Sequence, residues 1–98
     1  MRLRFTDKPV RDASGAWSFE HFNVVNTIAV NTVGGWHIHY VFQGNECVSV
    51  EVTLDEDTEY TVGTTTYKIR DMLKRKGMTL KDVADILTKA GVSGITIE

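Results

Sequence analysis

The sequence predicts a single α+β domain over residues 1–98, with a mainly antiparallel sheet of four to six strands and two C-terminal helices packed on one of its faces. Three observations lead to this prediction. Apolar and polar residues alternate, with many Val, Thr and aromatic side chains, in several runs between residues 2 and 62. Between residues 69 and 90 the apolar spacing becomes helical. A chain of 98 residues can bury one hydrophobic core and is short for two domains.

Six segments have the sequence pattern of strands, and the first alternates Leu3 and Phe5 with arginines. Residues 7–16 contain the only proline, with Asp, Ser and Gly, and are expected to form a loop. The next strands are joined at Gly34-Gly35 and Gly44-Asn45, so we expect a β-meander. The six predicted strands are residues 2–6, 19–32, 36–43, 46–54, 59–62 and 95–97.

Two helices are expected within residues 67–90. Thr79, followed by Asp82, has the spacing of a capping box at the start of the second helix. Gly77 and Gly91 suit the left-handed position that follows a helix end. The apolar residues that define the buried helix faces are Ile69, Met72, Leu73, Leu80, Val83, Ala84, Leu87 and Ala90.

Turn length decides which side chains of neighbouring strands share a face of the sheet. A two-residue turn at Gly44-Asn45 would place His37 and His39 in the core and expose the aromatic residues of their strand, which costs several kcal/mol at about 1.5–3 kcal/mol per large side chain. We therefore expect three-residue or bulged turns at 33–35 and 43–45. The side chains then expected on the buried face are Phe22, Val24, Ile28, Val30, Trp36, Ile38, Tyr40, Phe42, Val48, Val50, Val52 and Leu54.

Charged residues are segregated along the chain, although the net charge is only -2. Residues 1–11 carry +3, residues 12–66 contain no Lys or Arg and carry -8, and residues 67–98 carry +3. One interpretation is that basic helices neutralise an acidic sheet within the same fold. The other is that an acidic surface meets a basic partner, because complementary charge speeds association and fixes orientation.

The charge layout predicts a small non-enzymatic protein-interaction domain, of the kind that acts as an inhibitor or adaptor of a basic protein that handles nucleic acid. No GxSxG, P-loop or GxGxxG motif is present, so no catalytic residue, metal or cofactor is expected. The predicted partner-binding residues are Glu51, Asp55, Glu56, Asp57, Glu59, His37 and His39.

A metal-dependent hydrolase is one alternative. His37 and His39 are two residues apart on a strand, which is a spacing that metal ligands use, and Glu51 would supply a third ligand. In the expected register His37 lies opposite Glu51, His39 lies opposite Ser49, and Cys47 shares their face. No CxxC or HExxH motif accompanies these residues, so an ordinary strand surface is the preferred interpretation.

A nucleic-acid-binding module is the second alternative, through the basic helix at residues 67–76. The following helix, which would read bases in a helix-turn-helix, mixes Lys81 and Lys89 with Asp82 and Asp85. Direct contact with nucleic acid is therefore not the favoured interpretation.

The single cysteine, Cys47, has no partner for an internal disulfide, which favours a reducing, cytoplasmic location. No apolar run is long enough to span a bilayer and the first residues have no apolar stretch of the kind found in signal peptides, so we expect no membrane contact. Homo-oligomers are possible, since edge strands can pair between copies.

Overall fold

A computed structural model describes residues 1–28 and 35–98. In these two segments the chain is α+β, with a four-stranded antiparallel sheet, two short hairpins and three helices. The predicted α+β class, with a mainly antiparallel sheet, is confirmed.

Along the chain, three strands and one short helix precede a long hairpin. A shorter hairpin, two helices and a last strand follow it. Their bounds are β1 Arg2–Asp7, β2 Pro9–Arg11, β3 Trp17–Phe19, α1 Phe22–Thr27, β4 Trp36–Gln43, β5 Glu46–Asp55, β6 Glu59–Val62, β7 Thr65–Lys68, α2 Ile69–Arg75, α3 Leu80–Lys89 and β8 Thr96–Ile97. The main sheet has the order β4-β5-β1-β8, and the hairpins are β2–β3 and β6–β7. The sheet is therefore not the meander expected from sequence, because β1 lies between β5 and the last strand.

Strand β1 is central, and its alternation is confirmed. Leu3 and Phe5 are buried and the residues between them are exposed. Leu3 lies opposite Leu54 of β5 on one side and Ile97 of β8 on the other. The two ends of the chain are thus neighbouring strands, a pairing between distant segments that strand patterns alone do not specify.

The predicted strand at 19–32 is wrong over its described part. Residues 17–19 form β3, which pairs with β2 inside the predicted loop at 7–16, and Phe22–Thr27 is helical. Val25 and Ile28 are buried on one side of this turn of helix. The three-residue spacing from Phe22 through Val25 to Ile28 was the available helical signal, and the β-branched composition obscured it. The rest of that predicted strand and most of the turn at 33–35 lie outside the described residues.

The hairpin β4–β5 has the predicted faces, and of the two expected arrangements of its turn it has the bulged one. Trp36 lies opposite Leu54, Ile38 opposite Val52, and Tyr40 opposite Val50 on the core side. Gly44-Asn45 is a two-residue turn, and a bulge between Val41 and Phe42 restores the expected parity.

Three predicted positions are wrong, and for Cys47 and Val48 the reason is that the bulge changes their face, whereas Phe42 stays opposite Cys47. Cys47, expected on the outer face, is buried, whereas Val48 and Phe42, expected in the core, are about half exposed. Phe42 packs edge-on against Trp17 with a centroid distance of 6.4 Å. Together, the two-residue turn and the extra residue in β5 shift the pairs from Val41 to Trp36 by two positions relative to a simple three-residue turn.

Both predicted helices and their caps are confirmed. The Thr79 hydroxyl accepts from the Asp82 amide at 3.2 Å, and the Asp82 carboxylate accepts from the Thr79 amide at 2.9 Å. Gly77 has a φ of +67°, and the Met78 amide bonds to the Leu73 carbonyl at 2.9 Å, which closes the last turn of α2. The buried residues contributed by α2 and α3 join those of β1 and β5 in one core, and they are Ile69, Leu73, Leu80, Val83 and Leu87. Among the described residues no helix has the length and apolar character that a membrane span requires.

Candidate interaction surface

The acidic turn, defined as Asp55, Glu56, Asp57 and Glu59, connects β5 to β6. The Asp55 carboxylate accepts from the Asp57 amide at 2.9 Å, and the Thr58 amide donates to the Asp55 carbonyl at 3.1 Å, so Asp55 shapes the turn itself. Aspartate suits this position because its short side chain can bond to the backbone two residues on.

Helix α2 holds the acidic turn in place through its first backbone amides. The Ile69 amide donates to the Thr58 carbonyl and the Arg70 amide to the Glu56 carbonyl, each at 3.0 Å. These donors would have no partner within the helix, so the turn satisfies the helix start while the helix fixes the turn. The carboxylates are therefore presented from a constrained backbone.

Arg70 is the main internal cation of the acidic turn. Its Nη2 lies 2.7 Å from Asp57 Oδ1 and its Nε lies 3.6 Å from Glu56 Oε2. The N-terminal amine of Met1 is 3.8 Å from the same Glu56 oxygen. Lys68 stands opposite Glu59 in the β6–β7 hairpin. Part of the segregated charge is thus neutralised within the fold, as the first interpretation of the sequence expected.

The acidic turn nevertheless keeps an excess of negative charge. Of its four carboxylates, only Glu56 and Asp57 have a cation within 4 Å among the described residues, and these cations are one guanidinium and one amine. The side chain of Asp57 remains 63% exposed although it pairs with Arg70. Exposed pairs of this kind are weak and screened by salt, so they reduce the negative potential without removing it.

The outer face of the sheet places the predicted histidines differently from the sequence expectation. His39, not His37, lies opposite Glu51, and His39 Nδ1 is 3.2 Å from Glu51 Oε2. His37 lies opposite Thr53, and its Nε2 is 3.4 Å from the Thr58 hydroxyl, beside the acidic turn. The predicted pairing is wrong because the two-residue turn and the bulge in β5 each move the partner of His37 and His39 by one residue, which makes two in total.

Two arginines of β1 share that outer face. Arg4 lies opposite Thr53, and Arg2 lies opposite Asp55 with its Nη2 3.5 Å from Glu98 Oε2. The sheet face is therefore of mixed charge, whereas the sequence analysis expected it to be acidic. The negative surface is concentrated at the acidic turn, and Glu51 lies further along β5.

The candidate metal ligands His37, His39 and Glu51 are not brought together as a trio. In the described part of the chain, the side-chain ligand atoms that do lie within 4.8 Å of one another are those of Asp7, Glu20 and His21. Both oxygens of Asp7 already accept hydrogen bonds from His21, from its amide and from its ring. Asp7 and His21 of this group join β1 to the segment before α1. The sequence did not reveal this contact because the two residues are 14 positions apart.

The predicted basic segment at 67–76 lines an open groove of about 640 Å³ between the β6–β7 hairpin and α2. The Arg75 guanidinium lies 5.3 Å from the centre of the Tyr67 ring. The residues that line the groove are Thr66, Tyr67, Asp71, Lys74 and Arg75. The acidic turn contacts the start of α2, whereas this groove extends to its last turn, and Lys74 also lines a second cleft with Glu56 and Arg70.

Comparison with protein-family models, with curated proteins and with solved structures gives no significant match. The function is therefore inferred from geometry and charge alone.

Proposed function

We propose that this protein is a small non-enzymatic protein-interaction domain that presents the acidic turn, together with Glu51, to a basic surface of a nucleic-acid-handling protein. It acts there as an inhibitor or an adaptor. The observation that supports this most strongly is the fixed set of four carboxylates at residues 55–59, which Arg70 and the N-terminal amine neutralise only in part.

Rigidity makes the acidic turn a good binding element. Backbone bonds from Ile69 and Arg70 fix the turn before any partner arrives. A surface that is already ordered loses less conformational entropy on binding, so more of the interaction energy remains as affinity.

The fold leaves room for a partner at this edge. The proposal requires α2 and α3 to cover one face of the sheet, and the shared burial of Leu73, Val83 and Leu87 with Leu54 supports that arrangement. The outer face and the acidic turn then stay accessible together, with Glu51 and His39 at the margin.

The proposed partner is basic because phosphate-binding grooves carry arranged Lys and Arg side chains. Carboxylates held at the surface offer the same sign of charge as phosphates and can occupy such a groove. Association should accordingly be fast at low salt and slower as ionic strength rises.

The proposal is tested by comparing which proteins two charge-reversal variants of equal net charge retain from a cell lysate. Glu59→Lys is the cleanest reversal, since Glu59 faces solvent and, unlike Asp55, shapes no turn. Asp85→Lys, at an exposed position of α3, changes the net charge equally and is the matched control. Both tagged proteins and the wild type are incubated with lysate of the cells that express the protein, and bound proteins are identified and quantified.

We expect wild type and Asp85→Lys to retain a basic nucleic-acid-binding protein that Glu59→Lys retains several-fold less. Added single-stranded DNA should displace that protein from the wild type, because the DNA and the acidic turn would occupy the same positive groove of the captured protein. Equal retention by all three baits, or retention of acidic proteins only, would contradict the proposal.

A further inference from the structure

The groove between the β6–β7 hairpin and α2 combines two cations with an aromatic ring. Lys74 and Arg75 lie in the last turn of α2, and Tyr67 lies on β7. With a volume of about 640 Å³, the groove has the size of an ordinary small-ligand or nucleotide site. The groove runs along α2, because Tyr67 precedes the first turn of the helix and Lys74 and Arg75 lie in its last turn.

The two cations are not used by ion pairs. Among the described residues no carboxylate oxygen lies within 4.0 Å of the charged nitrogens of Lys74 or Arg75, whereas Arg70 in the same helix contacts two carboxylates. Asp71 is the only acidic residue that lines the groove. The groove is therefore the positive counterpart of the acidic turn and favours an anionic ligand.

Tyr67 adds a planar apolar surface beside the positive charge. Its ring centre is 5.3 Å from the Arg75 guanidinium and 5.8 Å from the ring centre of Tyr60, with the two rings tilted by 32°. Guanidinium planes and tyrosine rings both stack with nucleobases, and neighbouring cations hold phosphates.

We propose that this groove binds single-stranded nucleic acid, with a base stacked on Tyr67 or Arg75 and the backbone held by Lys74 and Arg75. A single strand fits better than a duplex because bases must be unpaired to stack on a side chain. This activity is separate from the acidic turn, since it uses different side chains.

Fluorescence anisotropy with a labelled oligothymidylate of about twelve nucleotides tests the proposal, using the full chain. The same length of duplex DNA and inorganic phosphate serve as competitors. The double variant Lys74→Ala with Arg75→Ala removes the cations, and Lys81→Ala with Lys89→Ala removes two exposed cations from α3 as the matched control. Tyr67→Ala removes the ring, and Tyr67→Phe keeps it.

We expect the wild type to bind the single strand with a dissociation constant below about 100 µM at about 50 mM salt, and the duplex at least about fivefold more weakly. Removing Lys74 and Arg75 should reduce the slope of log affinity against log salt by about 1.4, at about 0.7 per cation. Tyr67→Ala should weaken binding about tenfold, and Tyr67→Phe less than about twofold.

Three results would overturn the proposal: no binding of the single strand at low salt, equal binding of the duplex, or equal salt slopes for the groove and control double variants. Competition by inorganic phosphate alone at equal phosphate concentration would indicate a simple anion site and would also overturn it. The Lys74 and Arg75 substitutions lie on an exposed helix surface, so they test the groove even if Tyr67→Ala does not fold. Loss of capture in Glu59→Lys tests the acidic turn separately, because Glu59 does not line the groove.

Discussion

Asp7 and His21 are joined by two hydrogen bonds at the end of β1. The His21 amide donates to Asp7 Oδ2 at 2.8 Å, and the ring Nδ1 lies 2.9 Å from Oδ1. Asp7 is the one charged residue that the described part of the chain buries. A buried carboxylate is tolerated when its oxygens have hydrogen-bond partners, and here one residue supplies both.

Replacing Asp7 by Ala should lower the free energy of unfolding by about 2 kcal/mol, because the partly buried amide and ring nitrogen of His21 lose their acceptor. Asp7→Asn should cost about 1 kcal/mol, because its amide oxygen still accepts from the His21 amide. Urea denaturation of the three proteins gives both values. Equal free energies of unfolding for the Ala and Asn variants would show that the hydrogen bond from the His21 amide to residue 7 does not stabilise the fold.

The capping box at the start of α3 gives a second stability prediction. Thr79→Ala removes the acceptor for the Asp82 amide and should lower the free energy of unfolding by about 1 kcal/mol. Thr88→Ala makes the same chemical change at an exposed position inside the helix and should change stability by less than about 0.5 kcal/mol. Urea denaturation compares them, and an equal loss in both variants would mean that the cap is not the cause.

Stability at high pH should depend on Tyr40. Burial raises the pKa of Tyr40 above its ordinary value of 10.0, and the nearby Cys47 and Asp12 raise the pKa further. The unfolded chain therefore releases this proton first, so the contribution to stability is complete below about pH 10 and is lost as pH rises through the folded-state pKa. Burial also raises the pKa of Tyr60, which adds a loss of the same sign.

The measurement is the free energy of unfolding of wild type and Tyr40→Phe at about pH 8 and about pH 11. Because the variant lacks the titrating group, its stability should fall less between the two pH values. A steeper fall in Tyr40→Phe than in wild type would contradict the sign of the prediction.

Neutralising Arg70 should strengthen binding of a basic partner. Arg70→Gln removes the cation beside Asp57 and Glu56, while the backbone bonds from residues 69 and 70 still hold the acidic turn. The turn then carries more net negative charge, so the association rate should rise about two- to fivefold at low salt. Stopped-flow or surface plasmon resonance measurements with the captured basic protein test this, and a slower association with an intact fold would count against the acidic turn as the binding element.

Much of the fold could be predicted from sequence where local pattern and burial agree. Alternation defined β1, β4 and β5, and helical spacing with Gly77 and the Thr79 cap defined α2 and α3. Each of these elements buries one clear face, so its sequence carries its own signal.

The errors come from interactions between distant residues. Helix α1 is rich in β-branched and aromatic residues and resembles a strand in composition. The amide of its N-cap residue, His21, donates to the carboxylate of Asp7 in β1, and this contact fixes the start of the helix. The two-residue turn and the bulge together move Glu51 from His37 to His39 and preserve the faces of the hairpin, so the hydrophobic pattern does not reveal them. The pairing of Arg70 with Asp57 also depends on the tertiary fold, although the charge segregation was evident.

The most direct test of the central claim is the affinity of the captured basic protein, once purified, for Glu59→Lys and for Asp85→Lys, measured by isothermal titration calorimetry at low and high salt. We expect Glu59→Lys to bind about tenfold more weakly than Asp85→Lys at low salt, with the difference shrinking as salt screens the charges. Equal affinities of the two variants at low salt would contradict the assignment of the acidic turn as the binding surface.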